Sequence, residues 1–198
     1  MLMLMACGLA GPAFGQYENE SYWDGVYKAD HAIFVRRATA LLVSAVKGRP
    51  PGKALDIGMG QGRNSIFLAQ QGWEVTGFDL SREGIRQAQE QAGKLGLPLR
   101  SMVAREQDFD LGLEQWDMIV MTYVRPLRPG DADRFAHALR PQGIFVYENN
   151  NVSRQNDLLR DFLAWRILRF EDVDTNSDWH PEKTQRVERL VAEKPGIH

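Results

Sequence analysis

Cysteine is nearly absent from the 198 residues: Cys7 stands alone, which excludes an intrachain disulfide and any cysteine-built zinc cluster. Histidine is scarce as well. His31, His137, His180 and His198 are scattered with no HxxxH-type spacing, so the sequence offers no metal site. A formal net charge of -2 excludes an overall basic field for nucleic acid or an anionic membrane. The best cationic group, Arg125 and Arg128 near Arg134, is short and interrupted by prolines, and reads as solvated surface. No apolar run reaches the length of a membrane span, so stable membrane insertion is not expected. Residues 1–15, MLMLMACGLAGPAFG, lack charge entirely. They are small and apolar, and AFG before Gln16 resembles a cleavage site, yet the positive start of a secretory signal is missing. The expected location is the cytoplasm, with export if this tail acts as a signal; residues 16–198 are expected to form a single domain.

What is present alternates. KALDI (53–57), EVTGFD (74–79), LRSMVA (99–104), WDMIVMTYV (116–124) and GIFVYEN (143–149) read as strands. Helical spacing separates them: residues 64–71, a run capped by Ser81 with Ile85, Ala88, Ala92 and Leu95 on one face, and a run with Ala132, Phe135, Ala136 and Leu139. Residues 153–164 read as a further helix, and 31–46 as a helix capped by Asp30 ahead of the first strand. Two last strands, near 166–173 and 185–193, are joined by the turn-rich TNSDWHPEK, whose Trp179 and His180 read as surface. With no helix between them they should pair as an antiparallel hairpin. The fold class is therefore α/β, a doubly wound, Rossmann-like seven-stranded sheet, mostly parallel.

In such a sheet a ligand sits beyond the carboxyl ends of the strands, beside the first one. The loop in ALDIGMGQGRN (54–64) falls there. It lacks the GxxxxGK[ST] of a phosphate-binding loop. A dinucleotide loop would need glycine or alanine where Arg63 stands, and an arginine side chain cannot enter that tight contact. Asp-x-Gly-x-Gly-x-Gly suits S-adenosylmethionine, which has no pyrophosphate to place. Gly58 and Gly60 would let backbone approach its methionine tail and ribose. Asp56 can orient the loop or meet the amino group through water, and Asp79, ending the second strand, can accept both ribose hydroxyls.

ALDIGMGQGRNSIFLAQQGWEVTGFDLS (54–81), WDMIVMTY (116–123) and LRPQG (139–143) resemble the class I S-adenosylmethionine-dependent methyltransferases, nearest to a compact bacterial branch that includes thiopurine and tellurite-resistance enzymes. The resemblance runs from about Tyr22 to Lys194. It implies a seventh strand lying antiparallel between the fifth and sixth. It also implies cofactor contacts from Asp56, Gly58, Gly60, Gly62, Asp79 and Leu80, the last packed on adenine, with Arg63 and Asn64 holding the loop. After strand three the family often has an acid near the adenine amino group; here Arg105 stands near that position, and Glu106, Gln107 and Asp108 are the candidates.

Transfer from a sulfonium needs the nucleophile held in line, and a general base only where the acceptor must lose a proton early. Tyr123 and Glu148 are the candidate catalytic residues; Glu148 reads equally as a base or as a strand-end carboxylate. Substrate contacts are expected from Tyr22, Trp23, Tyr27, Tyr123 and Arg125. The three N-terminal aromatics either roof the cofactor or dock the first helix on the sheet. MTYVRP (121–126) lacks the Asn/Asp-Pro-Pro-Tyr of amide and exocyclic-nitrogen methylating enzymes. The expected acceptor is a small molecule. The alternative is a non-catalytic protein of the same fold that binds S-adenosylmethionine or S-adenosylhomocysteine.

Overall fold

In a computed structural model of the chain, residues 19–29, 37–150, 154, 156–178 and 182–194 are described. The elements run α1 (Glu20–Lys28), α2 (Ala40–Val46), β1 (Lys53–Ile57), α3 (Arg63–Gln70), β2 (Glu74–Asp79), α4 (Arg82–Lys94), β3 (Arg100–Val103), β4 (Trp116–Thr122), α5 (Asp131–Ala138), β5 (Leu139–Asn149), α6 (Asp157–Asp161), β6 (Arg166–Asn176) and β7 (Thr184–Glu193). The strands form one sheet in the order β3-β2-β1-β4-β5-β7-β6. The first five are parallel, β7 runs antiparallel between β5 and β6, and β6 closes the edge.

Period-two side-chain alternation explains why the central strands read as continuous apolar runs. In β4, Ile119 and Met121 join Phe135, Phe145, Tyr147 and Phe162 on one face, while Met118 and Val120 join Leu42, Leu68, Ile144 and Val146 on the other. Phe145 stacks on Phe135 at 4.6 Å and on Phe162 at 5.5 Å, so α5 and α6 are both fixed through one strand side chain.

Several elements differ from the sequence reading. Of the helix expected over 31–46 with its Asp30 cap, residues 30–36 lie outside the described residues; α2 begins at Ala40, where Thr39 is extended and its hydroxyl accepts from Leu42 N–H. Leu139 opens β5 rather than closing the preceding helix, because it pairs with Trp116 across a bulge. The helix expected over 153–164 is one short turn, Asp157–Asp161, behind Asn156 in the left-handed region (φ 66). The unexpected element is α1, capped by Asn19, whose side chain accepts from Tyr22 N–H at 3.1 Å.

Candidate functional site

At the carboxyl ends of β1, β2 and β4 a cavity of about 1190 Å³ opens and continues between α2, α3 and α4. Its floor is the glycine loop. Gly60 has φ +52, and a Cβ there would lie 2.5 Å from the Tyr27 hydroxyl; Gly58 has φ +65, and a Cβ would lie 2.5 Å from Val124 Cγ2. Bare backbone is therefore required at both positions. Gly62, at the start of α3 with φ +80, also serves packing: a Cβ there would lie 2.9 Å from the Ala88 methyl of α4.

Two buried carboxylates flank the loop. Asp79 accepts from Gly60 N–H at 2.9 Å and from Ser81 N–H at 2.8 Å. A carboxylate has about four acceptor positions, so capacity remains for ligand hydroxyls. Asp56 accepts from the Ser65 hydroxyl at 2.6 Å. Burial raises Asp56 to about 7, Ser65 and Arg63 opposing and Asp79 adding to the rise. Burial likewise raises Asp79 to about 6, against the Ser81 and Gly60 amides. Carboxylates held at that cost invite a cationic ligand.

The rest of the wall divides by chemistry. Phe78, Leu80, Ala104 and Val124 give an apolar side ending at Glu106. Burial would raise Glu106, but Arg125 and Arg134 outweigh it and hold the carboxyl below its usual range. Asn64 lies beneath: its Oδ1 accepts from Thr39 N–H at 3.0 Å and its Nδ2 donates to Thr122 Oγ1 at 2.9 Å, joining α2 to the end of β4. Arg63 stands 5.6 Å above the Tyr123 ring and donates to the Asp178 carbonyl at 3.4 Å. Tyr123, a buried residue with φ 58, occupies a backbone region costing about 1–3 kcal/mol for a non-glycine, a kind of strain that collects at functional sites.

Helix α1 roofs the cleft and also docks on the fold, so the two readings of its aromatics are not exclusive. Trp23 and Tyr27 line the cavity and stack at 6.1 Å, and Tyr27 is the one buried residue of the helix. Its attachment is polar. Asp24 accepts from the Ser81 hydroxyl and from Glu83 N–H at 3.1 Å, and Gln87 donates to the Tyr27 carbonyl at 2.9 Å. Asp24 thus helps cap α4 from another helix. Ser81→Ala should cost about 1 kcal/mol through the lost cap, read by urea unfolding, and should loosen α1.

Two expected substrate residues are not brought to the cavity. Tyr22 is exposed on α1, edge-on to Trp23. Arg125 is buried rather than solvated surface: its guanidinium binds Asp131 at 2.6 and 3.0 Å and Glu106 at 2.8 Å, partners far enough apart in sequence that the arginine looked exposed. The structure adds Arg37, Thr122, Gln87 and Asp178 to the wall. Asp178 comes from the β6–β7 turn read as surface; Trp179 and His180 lie outside the described residues. Among those described, no cluster of metal-binding side chains occurs and no helix is long and apolar enough to cross a membrane.

A family described as a methyltransferase domain matches residues 54–143, from β1 into β5. Over those residues the chain is similar to the class I S-adenosylmethionine-dependent methyltransferases. The chain is 26% identical over 174 residues to Hemagglutinin 1 of Eikenella corrodens, covering 77% of this chain and 58% of that one. It is 30% identical over 121 residues to a malonyl-[acyl-carrier protein] O-methyltransferase of Pseudescherichia vulneris, covering 59% and 46%. The crystal structure of TehB from Haemophilus influenzae superposes with a TM-score of 0.62 at 21% identity, over 88% of this chain and 66% of that one, a likeness of fold. The chain thus spans under two thirds of the length of both curated relatives. S-adenosylmethionine is the cofactor of the family, and the residues present fit it: a glycine cradle that Cβ atoms would fill, an apolar side for a base, and buried carboxylates for cationic and hydroxyl groups.

Proposed function

We propose that this chain transfers the methyl group of S-adenosylmethionine to a small-molecule acceptor by in-line displacement. The observation that carries the reading is the pair Asp56 and Asp79, buried on either side of a glycine loop and opening into one cavity. That cavity exceeds the usual range for a single ligand, which leaves space for an acceptor beside the cofactor. When bound, the cofactor supplies an already activated methyl group. The chain's task is then to bind, align and keep water out. Asp79 would hold the ribose, Gly58 and Gly60 the closely approaching backbone, Asp56 the amino group, and Leu80 the base. Trp23 and Tyr27 would roof the site. With a net charge of -2 the acceptor is not a nucleic acid in this reading, and the cytoplasm, where the cofactor is made, is the working compartment. A screen of small acceptors with methyl-labelled cofactor tests the reading. Label transferred to one of them supports it; cofactor bound with no transfer to any supports the non-catalytic alternative.

The carboxylates set a pH dependence. A cationic ligand needs them ionised, so cofactor affinity should hold above about pH 7 and fall as the pH drops through the values of about 7 for Asp56 and about 6 for Asp79. Ligand-free stability should move the other way. Both groups are raised above the unfolded value of about 4, so their contribution is fully present below that value and is lost as pH rises through about 6 and 7. Titration calorimetry and urea unfolding between pH 5 and pH 8 read the two trends.

A further inference from the structure

Tyr123 follows β4 with a left-handed backbone, φ 58, held there by its N–H donating to the Glu148 carbonyl at 2.8 Å. Tyr123 is one of the residues lining the cavity. Its hydroxyl donates to Glu148 Oε1 and accepts from Asp178 N–H at 3.1 Å. An oxygen on a cavity-lining side chain that both gives and takes hydrogen bonds has the connections of a proton relay. Glu148 lies behind it, 1% exposed and off the cavity wall. The groups facing Glu148 are Tyr123 from the end of β4, Arg189 on β7 at 3.2 Å, and Asp178 from the β6–β7 turn; Arg189 also pairs with Glu171 on β6 at 3.0 Å. Burial pushes both the Tyr123 phenol and the Glu148 carboxyl up, so the tyrosine keeps its proton and the carboxylate is the basic member.

We propose that Tyr123 is a catalytic residue that passes the proton of a hydroxyl-bearing acceptor to Glu148. The proposal rests on the methyl-transfer reading and narrows it to acceptors that enter as a neutral phenol, enol or alcohol. As the bond from acceptor oxygen to methyl carbon forms, the carbon–sulfur bond breaks and its electron pair goes to sulfur. The acceptor proton moves to Tyr123 Oη while the proton already on Tyr123 moves to Glu148. Glu148 later returns it through Tyr123 to the cavity and so to solvent, and one proton leaves per methyl transferred. A thiol, readily ionised near neutral pH, has little need of such a base. Glu148 acts through Tyr123 and is a positioning and proton-holding residue.

The test compares wild type, Tyr123→Phe and Glu148→Gln. Calorimetry with S-adenosylmethionine comes first: failure of wild type to bind removes the methyl-transfer reading itself, whereas equal binding in all three leaves the relay to be judged. Label transfer is then measured to phenol, to 4-nitrophenol, which is already ionised near neutral pH, and to thiophenol. The expected result is phenol methylation that falls by about 100-fold or more in either variant, with the residual rate climbing as phenol itself ionises, and a much smaller loss for 4-nitrophenol. A second readout needs no turnover. Bound beside S-adenosylhomocysteine, 4-nitrophenol should stay protonated to higher pH in wild type than in Glu148→Gln, seen in its phenolate absorbance. If Tyr123→Phe fails to fold, by its circular dichroism melt, the pH profile of Glu148→Gln decides. Methylation of thiophenol alone, transfer to none of the three with cofactor bound, or wild-type phenol rates in a folded variant would overturn the relay.

Discussion

Gly60→Val should lower cofactor affinity by at least about 100-fold, roughly 3 kcal/mol. Two effects act together. The backbone at φ +52 is hostile to any side chain and most of all to a β-branched one. The new Cβ would also lie 2.5 Å from the Tyr27 hydroxyl. Tyr27 is buried and cannot swing aside without lifting α1, since its own carbonyl is tied to Gln87. The loop and its roof are therefore disturbed by one substitution. Gly93→Ala is the matched control: it lies inside α4 with nothing beyond its own helix backbone and chain neighbours within 4 Å of the added methyl, so it should leave binding unchanged and slightly strengthen the helix. Calorimetry on both variants, with circular dichroism melts to show that each is folded, checks the contrast.

Asp79→Asn should weaken cofactor binding by a comparable factor, about 100-fold, from the loss of hydrogen bonds to a charged group worth roughly 1.5–3 kcal/mol each. The substitution keeps size but removes charge. It also sets an amide NH2 against the N–H of Gly60 or Ser81, which both now donate to the carboxylate. Donor facing donor is worse than a merely lost contact. The variant should carry a pH signature too. With the group near 6 gone, the acid loss of affinity should narrow to the one set by Asp56 near 7. An unchanged pH profile in Asp79→Asn would show that Asp79 does not meet the ligand.

The parts of this site legible in the sequence are those whose chemistry is local. Gly58, Gly60 and Asp79 declare themselves because a bare loop after one strand and a carboxylate ending the next need nothing else to be recognised. The sheet was legible for a similar reason, since Met118 to Met121 must face two cores at once and so are all apolar. Helix α1 was not, because ESYWDGVYK carries an internal glycine and buries only Tyr27; it is held by Asn19, Asp24 and Gln87, whose partners lie up to 60 residues away. The start of α2 was hidden in the same way: Ala40 begins the helix because Thr39 N–H is taken by Asn64, a contact across 25 residues. Arg125 misled because an arginine between valine and proline looks solvated until Glu106 and Asp131 arrive from other elements. Asp178 was missed for want of any pattern in its turn. It reaches the cavity only because β6 and β7 together bring the turn back over Tyr123 and the first turn of α2.

The central claim is that the loop between β1 and α3 holds S-adenosylmethionine between two buried carboxylates. Titration calorimetry of the chain with S-adenosylmethionine and S-adenosylhomocysteine at pH 8 tests it most directly. The account predicts saturable binding of both at one site, weakening for S-adenosylmethionine as the pH falls from 7 to 6. Absence of heat for both ligands at millimolar concentration, in protein shown to be folded, would contradict it.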